Sequence, residues 1–268
     1  MLAGDISRSP LTVDKDENIA KAFELLDRKK DTHIVVTDEG RVVGILSVKD
    51  ILHVVLDRMR WGQLRAGKLY VSAIMTPNPI YMPPSTKVVD IAKLMLDQGI
   101  SSVIIGDGLD DVDNVKILTK RDILASWETL YSNEVRVSEI MSRKPITIHP
   151  GTSIKHAEWI LRERRISTLP VIDEGDLVGY LDARILSLFI AKTYLKKDIK
   201  HFDVFLNETT VSDVMKAPHS IHENSTILEA AHLLLRKRAK GAPVTIGDKL
   251  TGVITETDFT KILSTKNK

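Results

Sequence analysis

Three short segments of the chain place a hydroxyl group and a carboxylate three residues apart, directly after an apolar stretch that is typical of a buried β-strand. The pairs are Ser47 and Asp50, Thr119 and Asp122, and Thr255 and Asp258. A carboxylate in the first turn of a helix can accept a hydrogen bond from each of two adjacent hydroxyl groups, such as those of a ribose. The N–H groups at the same helix start are available to a phosphate. The spacing therefore favours binding of a polar ligand with a diol.

The same spacing is also typical of a capping box, in which the two side chains serve only the start of the helix. A capping box favours Glu or Gln at the second position, because the longer side chain reaches back more easily. All three segments have Asp there. The residues alone therefore favour a ligand over a cap without separating the two, and one carboxylate can serve both purposes.

A fourth segment, residues 179–185, keeps the same frame but loses both polar groups. Asp182 stands where the other segments have Ser or Thr, and Ile185 stands where they have Asp. Ile185 cannot hold a diol, and Asp182 places a negative charge where a hydroxyl would help to bind an anion. We therefore predict that this fourth site is empty or altered.

A second marker repeats upstream of these segments and indicates that the chain is an internal repeat. It has the form Val-Ser-x-Ile/Val-Met, begins at Val71, Val137 and Val211, and is followed by a proline within four residues. A weaker version at residues 4–6 precedes Pro10. The chain therefore divides into four copies, numbered 1 to 4: residues 1–58, 71–128, 137–192 and 211–265.

Each copy has the same predicted order of elements, β-α-β-β-α, which makes the fold class α/β (α+β). The first helix of copy 1 has apolar residues at helical spacing, namely Ile19, Ala22, Phe23 and Leu26. The two strands after it are joined by an Asp-Glu-Gly turn. The links at residues 59–70 and 186–206 also have helical patterns.

One such copy has a three-stranded sheet and little core of its own, so it must pack against a neighbour. The carboxylates Asp122 and Asp258 lie about half the chain apart, which supports two equivalent halves. We predict that copies 1 and 2 form one module, residues 1–132, and that copies 3 and 4 form another, residues 133–268. These modules leave no segment for a catalytic domain, so we predict no catalytic residues.

The composition limits the classes of protein and of site. No apolar run reaches the roughly 18 residues of a membrane span, and residues 1–10 have no apolar signal core, so the expected location is the cytoplasm. Cys is absent and the His residues show no metal spacing, so we expect no metal. The net charge of +2 does not indicate a nucleic-acid-binding protein. The basic clusters at 162–165 and 236–240 end amphipathic helices, where cations complement the helix dipole.

These markers together resemble the CBS domain, the cystathionine-β-synthase-type module. The resemblance rests on the Val-Ser-x-Ile-Met start, the Pro-Val-Ile-Asp strand at 170–173 and the Gly-h-h-Ser/Thr-x-x-Asp segment, where h is an apolar residue. It covers nearly the whole chain, and the layout is similar to that of stand-alone archaeal four-copy proteins and of the γ regulatory subunit of AMP-activated protein kinase. It implies that the copies pair into two Bateman modules, which meet as a pseudo-symmetric disc with adenine nucleotides in the clefts between paired copies.

The resemblance also implies further site residues. The segment before the second strand and the residue before the carboxylate face the phosphates in the family, which gives as phosphate candidates His33, Lys49, Arg121, Arg184 and Lys240. Three closing stretches, residues 76–80, 7–11 and 142–146, would complete the sites of Asp50, Asp122 and Asp258 in that order. Their residues expected to line the adenine cleft are Ser7, Pro10, Leu11, Thr76, Pro79, Ile80, Ser142, Pro145 and Ile146.

The function that the resemblance implies is a non-enzymatic adenine-nucleotide sensor, with AMP as the first ligand and ADP or ATP next, at up to three sites. The nucleotide would be a regulatory ligand rather than a catalytic cofactor, and it would change the surface shown to a protein partner. Two alternatives stay open: S-adenosylmethionine, which has a ribose diol but no phosphate, and a nucleic acid held by the basic clusters. The residues identify neither the partner protein nor the oligomeric state, and a homodimer stays open.

Overall fold

The structure is a computed structural model of the chain, and it describes residues 1–60, 69–131, 135–196 and 201–265. Residues 61–68 of the first predicted link and 197–200 of the second lie outside the described residues. The predicted limit between the two modules, at 132 and 133, also lies outside them.

Short strands alternate with helices along the described chain. The helices are α1 (Ala3–Ile6), α2 (Ile19–Lys29), α3 (Val48–Arg60), α4 (Val88–Asp97), α5 (Lys120–Ala125), α6 (Trp127–Leu130), α7 (Val137–Ile140), α8 (Ile154–Glu163), α9 (Ala183–Lys196), α10 (Phe202–Glu208), α11 (Ile227–Lys237) and α12 (Glu256–Ser264). The strands are β1 (Thr12–Asp14), β2 (His33–Asp38), β3 (Arg41–Ser47), β4 (Thr76–Pro77), β5 (Tyr81–Met82), β6 (Ser102–Ile105), β7 (Lys116–Thr119), β8 (Ser142–Arg143), β9 (Thr168–Asp173), β10 (Asp176–Asp182), β11 (Ile221–His222), β12 (Gly241–Ile246) and β13 (Lys249–Thr255). Single 3₁₀ turns lie at Val71–Ala73, Val112–Asn114 and Val211–Asp213.

The predicted β-α-β-β-α order is confirmed. It is formed in copy 1 by β1, α2, β2, β3 and α3, in copy 2 by β5, α4, β6, β7 and α5, and in copy 4 by β11, α11, β12, β13 and α12. Copy 3 differs at its first strand, which is reduced to a single parallel bridge between Ile148 and Val171. Its remaining elements, α8, β9, β10 and α9, follow the common order. The fold is therefore a mixed α/β repeat.

The first helix of copy 1 forms because apolar residues at helical spacing cover a core face. The predicted core residues of α2 are buried: Ile19, Ala22, Phe23 and Leu26. Asn18 caps the helix, since its side chain accepts a hydrogen bond from the N–H of Ala20. In the described ranges, no helix combines the length and the apolar character needed to cross a bilayer.

The described strands form four sheets, and neighbouring copies complete each other's sheets. In the order of hydrogen-bonded neighbours the sheets are β1-β2-β3-β4, β5-β6-β7, β11-β12-β13-β8 and β9-β10. The short strand β4 precedes the helix–strand core of copy 2 but pairs antiparallel with β3 of copy 1. In the same way β8, at the start of copy 3, pairs antiparallel with β13 of copy 4.

The chain divides into two compact units. The first contains Met1–Asp122 and Ser187–Lys200, and the second contains Ile123–Leu186 and His201–Lys268. Copies 1 and 2 supply most of the first unit, and copies 3 and 4 supply most of the second. The units differ from the predicted modules because the end of copy 2 belongs to the second unit and the end of copy 3 to the first.

The burial of one large side chain gives a physical reason why the end of copy 2 belongs to the second unit. Trp127, from the end of copy 2, is 1% exposed. Its ring meets that of Phe259 edge-on, with 4.9 Å between the ring centroids, and both residues belong to the second unit. Burial of an aromatic ring of this size is among the largest apolar contributions a single residue makes. The short helix α6, which contains Trp127, therefore belongs to the second unit.

The core of the first unit joins the sheets of copies 1 and 2. Buried residues from both copies pack in one cluster: Val35, Val42, Ile104, Val115 and Ile117. Three partly buried residues cover its margin, namely Ile45, Leu109 and Val112. A single copy would leave this apolar face in water, which is why the copies occur as pairs.

Candidate ligand-binding site

The glycine and methionine markers of the sequence meet in the structure. A Cβ atom added to the glycine would lie 2.5 to 2.7 Å from Sδ of the methionine in three pairs: Gly44 and Met75, Gly252 and Met141, and Gly179 and Met215. In each pair the glycine belongs to one copy and the methionine begins its paired copy. Glycine is required because a side chain would displace the methionine. This contact packs paired copies together beside the segments of Asp50 and Asp258 and beside the fourth segment, whereas the segment of Asp122 has Lys116 at the position of the glycine.

Asp50 lies in the first turn of α3, directly after β3. The N–H and the hydroxyl of Ser47 donate to Oδ2 of Asp50 at 2.8 and 2.7 Å, and the N–H of Asp50 donates to Oγ of Ser47 at 3.3 Å. These bonds form a capping box, so the helix-capping role considered from the sequence is present. Within the described residues, Oδ1 of Asp50 has no hydrogen-bond partner. The helix cap therefore uses only one oxygen of this half-buried carboxylate, and binding of a ligand by the other oxygen stays a prediction.

Asp122 forms the same capping box as Asp50, but its Oδ1 has a hydrogen-bond partner. The N–H and the hydroxyl of Thr119 donate to Oδ2 of Asp122 at 2.8 and 2.6 Å. Oδ1 accepts from Nε of Arg8 at 3.2 Å, and the same guanidinium contacts Asp31 at 2.7 and 3.0 Å. Partial burial alone would lower the pKa of Arg8, but Asp122 and Asp31 raise it above its usual value. Arg8 therefore stands between two carboxylates as a fixed cation.

Asp258 forms the same helix cap, and its Oδ1 has surroundings that differ from those in Asp50 and Asp122. The N–H and the hydroxyl of Thr255 both donate to Oδ2 at 2.8 Å. Oδ1 lies 3.6 Å from Nζ of Lys261, whose side chain is 60% exposed. Such a long pair with an exposed lysine contributes little in water. The three carboxylates thus share the cap and differ in what approaches the second oxygen.

Each closing stretch lies beside the strand that leads to its predicted carboxylate. The strand β4, which holds Thr76, pairs with β3, and β8, which holds Ser142, pairs with β13. Arg8 forms an antiparallel bridge with Ile117 in β7. The structure thus brings the predicted residues of each site together, while their role in holding an adenine stays a prediction.

Two apolar residues of the closing stretches occupy the same position, one residue after the proline, and are exposed. Ile80 is 40% exposed and Ile146 is 39% exposed. Leu11, at the same position beside Asp122, is half-buried. The remaining predicted residues divide into buried Pro79, half-buried Ser7, Pro10 and Pro145, and exposed Thr76 and Ser142.

The phosphate candidates His33 and Lys240 pair with polar side chains. His33 is buried, and its ring nitrogens lie 3.0 Å from Oγ1 of Thr32 and 2.9 Å from Oγ of Ser101. Nζ of Lys240 pairs at 2.8 Å with Glu256, which is buried. His33 therefore links copies 1 and 2, and the charge of Lys240 is neutralised by a carboxylate.

The other three phosphate candidates are exposed or half-buried. Lys49 is exposed at the start of α3, and Arg121 is half-buried. Nη1 of Arg184 donates to the carbonyl oxygen of Arg238 at 3.4 Å. In the part of the chain that the structure describes, no group of three or more His, Asp or Glu residues is placed to hold a metal ion.

The segment of copy 3 is capped in a different way. Asp182 is fully buried and accepts hydrogen bonds from the N–H of Ile185 at 2.7 Å and from the N–H of Lys240 at 2.9 Å. Burial raises the pKa of Asp182, against the two backbone hydrogen bonds that lower it. Because Asp182 caps α9 by itself, the helix needs no carboxylate at position 185.

Two buried aromatic side chains lie beside the segment of copy 3. His219 has the position of Ile80, one residue after a proline, and Tyr180 lies next to Gly179 as Ile45 lies next to Gly44. The rings of Tyr180 and His219 meet edge-on at 4.1 Å. Burial raises the pKa of Tyr180 to about 12 and lowers the pKa of His219. This side of copy 3 is packed as core.

Four residues in or beside these segments are absent from the predicted set. Arg8 is the one basic residue in the stretch 7–11, and that composition is its only sequence signal. Glu256 becomes relevant only once the fold brings it to Lys240. Tyr180 and His219 have a clearer signal, because both place a polar aromatic ring where the other copies have aliphatic residues.

The comparisons with known proteins agree with the repeat. A family model described as CBS domain matches the chain four times, at residues 3–57, 71–128, 137–192 and 211–265. Protein MJ1225 from Methanocaldococcus jannaschii, described as a proposed archaeal homologue of γ-AMPK, has a similar structure over 98% of this chain and 99% of its own, with a TM-score of 0.79 and 21% sequence identity. At that identity the likeness shows the fold alone.

Curated relatives match either the whole chain or one part of it. An uncharacterized 33.4 kDa protein in the ribosomal RNA operon of Thermofilum pendens is 22% identical over 92% of this chain and 85% of its own length. Inosine-5'-monophosphate dehydrogenase from Staphylococcus epidermidis is 29% identical over 122 residues, or 45% of this chain. The match spans only 24% of that enzyme's length, so it does not bring the enzyme's activity to this chain.

Proposed function

Because this chain belongs to the CBS-domain family, with four copies of the domain, we propose that it is a regulatory protein that binds an adenine nucleotide and has no enzymatic activity of its own. AMP is the first ligand in this proposal, ADP or ATP is the next, and the place of action is the cytoplasm. The observation that carries the proposal is the repeated carboxylate, which in all three segments uses only Oδ2 for the helix cap.

The Asp50 site has the most favourable geometry for a nucleotide. Oδ1 of Asp50 is available to a ribose hydroxyl, and a hydrogen bond to a charged group contributes about 1.5–3 kcal/mol. The N-terminus of the 13-residue helix α3 and the exposed Lys49 offer positive potential to a phosphate. The exposed Ile80 offers apolar surface to an adenine ring.

A ligand at this site would contact two copies at once. Asp50 belongs to copy 1, whereas Ile80 and β4 belong to the start of copy 2 and reach it through the pairing of β4 with β3. A ligand that contacts both copies stabilises the arrangement in which they are correctly placed. The resulting shift in population is the signal that a partner protein would read.

S-adenosylmethionine is the second candidate, because it carries the same ribose diol. It lacks a phosphate and has a positively charged sulfonium, which an exposed Lys49 repels. The surroundings of Asp50 therefore favour an anionic nucleotide.

The basic clusters give weaker support to nucleic-acid binding. Nε of Arg162 lies 3.3 Å from Glu158 and Nη1 lies 3.2 Å from Glu163. Lys240, in the second cluster, pairs with Glu256. Ion pairs within both clusters reduce the positive potential that a phosphate backbone requires.

Calorimetric titration with AMP, adenosine, S-adenosylmethionine and a short DNA duplex tests the proposal. We expect AMP to bind about tenfold or more tightly than adenosine and to weaken as salt rises. Asp50→Asn should weaken one AMP site by about tenfold, because one or both ribose hydrogen bonds lose a charged acceptor. Asp90→Asn is the matched control, since Asp90 is an exposed acidic residue in the first turn of α4.

Two results would contradict the proposal. Equal affinity for AMP and adenosine would remove the phosphate from recognition and favour S-adenosylmethionine. Sub-micromolar binding to the duplex, lost when Arg236 and Lys237 are changed to Ala, would favour nucleic acid instead, since non-specific binding is normally on the order of 10⁻⁴–10⁻⁶ M.

A further inference from the structure

Arg8 occupies the one oxygen of Asp122 that the helix cap leaves over. Its Nε lies 3.2 Å from Oδ1 of Asp122, and its two terminal nitrogens lie 2.7 and 3.0 Å from the carboxylate of Asp31. The side chains of Asp31 and Asp122 are 14% and 15% exposed, so these ion pairs are partly shielded from water. We propose that Arg8 gates the Asp122 site: a nucleotide binds there only after Arg8 has left Oδ1, which makes this site weaker than an ungated one. This proposal rests on the proposed function.

Of the three closing stretches, the one beside Asp122 has an arginine at a position where the other two have a hydroxyl residue. Arg8 forms its bridge with Ile117, and Thr76 pairs with Ile45. Ile117 and Ile45 are equivalent, because each lies two residues before the hydroxyl residue of its segment, and we call the residue paired with them the register point. The corresponding residue beside Asp258 is Ser142, which pairs with Val253. Thr76 and Ser142 have short hydroxyl side chains. A guanidinium at this register point is therefore confined, among the three carboxylate sites, to that of Asp122.

The closing stretch beside Asp122 is also shorter than the stretches beside Asp50 and Asp258. Between this register point and the proline there are two residues in 76–79 and in 142–145, but only one in 8–10. The longer stretches accommodate the extra residue with a left-handed backbone at Asn78, with φ 50°, and at Lys144, with φ 54°. They also form two paired residues, β4 and β8, whereas Arg8 forms a single bridge. The closing stretch of the Asp122 site is thus built differently.

Asp31 provides a second anchor for the gate. Arg8 makes two contacts with Asp31 and one longer contact with Asp122. It can release Oδ1 and remain paired with Asp31, so its charge does not become isolated when the site opens. The ribose then takes the oxygen that Nε has left. The gate lowers affinity by the strength of one partly shielded ion pair, which corresponds to about fivefold.

The test isolates the Asp122 site in the full-length chain. In a background of Asp50→Asn and Asp258→Asn, AMP is titrated by calorimetry against the background protein and against the same protein with Arg8→Gln. Lys15→Gln is the matched control, because Lys15 is similarly exposed and pairs with Asp38 at 2.7 Å in the same copy. Arg8→Lys keeps the charge but loses the forked geometry. Melting curves check that each variant is folded.

We expect Arg8→Gln to bind AMP about fivefold more tightly than the background, Arg8→Lys to lie between the two, and Lys15→Gln to match the background. The gain should vanish when Asp122→Asn is added. Unchanged or weaker binding by Arg8→Gln, with AMP still bound by the unmodified protein, would overturn the gate and leave the proposed function intact. Absence of AMP binding from the unmodified protein and from every variant would overturn both.

Discussion

The second unit contains two equivalent segments with opposite character. Beside Asp258, the residue after the proline is Ile146, which is 39% exposed. Beside Ile185 the residue after the proline is His219, and it is 8% exposed against Tyr180. One segment has an exposed apolar residue beside a buried carboxylate, and in the other two aromatic rings pack against each other.

Both segments join the last strand of a copy to the helix after it, and they differ in how the start of that helix is capped. The start of α12 is capped by Thr255 together with Asp258, whereas the start of α9 is capped by Asp182 alone. Once a carboxylate stands at the cap position itself, residue 185 no longer serves the helix and is free to be apolar. A binding segment can therefore become a structural one through a few side chains without a change of fold.

The largest expected effect comes from removing the buried cap. Asp182→Ala takes away the acceptor of two buried N–H groups, each of which costs about 1–3 kcal/mol when left unpaired. We expect the free energy of unfolding, measured with urea, to fall by about 3 kcal/mol. Asp258→Ala is the control and should cost about 1 kcal/mol, as an ordinary helix cap does. Equal losses would show that the two segments are not capped differently.

The next largest effect tests a feature that the two segments share, the close contact between a glycine and a methionine of the paired copy. Gly179→Ala and Gly252→Ala should each lower the free energy of unfolding by about 1–2 kcal/mol, because overpacking forces neighbours to shift. In both, the new Cβ would lie 3.0 Å from a backbone oxygen and less than that from a methionine sulfur. Gly108→Ala, where the nearest atom is 4.0 Å away, is the control. A clear inequality between Gly179→Ala and Gly252→Ala would contradict equivalent packing.

The repeat pattern determines how much of the fold and of the candidate site can be predicted from the sequence. Glycine, methionine and aspartate at fixed offsets are local features, and they suffice to predict four copies, the pairing of neighbours and the three carboxylates. The partner of Asp122 could not be found in this way, because Arg8 lies 114 residues away in sequence. The assignment of the end of copy 2 to the second unit depends likewise on where Trp127 is buried.

The pH dependence of stability sharpens the comparison further. Burial raises the pKa of Asp182, whereas in the unfolded chain an Asp ionises at about pH 4. Between these two values the folded chain holds a proton that the unfolded chain has lost, so stability falls as pH rises through this range. The difference in free energy of unfolding between the parent and Asp182→Ala should therefore be largest below about pH 4 and shrink at higher pH. A difference that grows with pH would contradict the assigned burial.

The smallest expected effect is that of restoring the polar pair in copy 3. Asp182→Thr with Ile185→Asp rebuilds the Thr-x-x-Asp spacing, but Tyr180 and His219 remain in place. We expect calorimetry to show no added AMP site in this double variant. Adding Tyr180→Val and His219→Ile gives the residue types of the Asp258 segment, and a weak additional site should then appear.

The two variants separate the contributions of the carboxylate and of the space beside it. An added site in the double variant would show that the rings of Tyr180 and His219 move aside easily and do not close the segment. If the fourfold variant melts as the parent does and still binds no additional AMP, a diol-binding carboxylate and an open apolar surface are together insufficient. Lys240 would then be the group to examine, because its N–H loses the acceptor that Asp182 provides, and its side chain stays paired with Glu256 rather than turning to a phosphate.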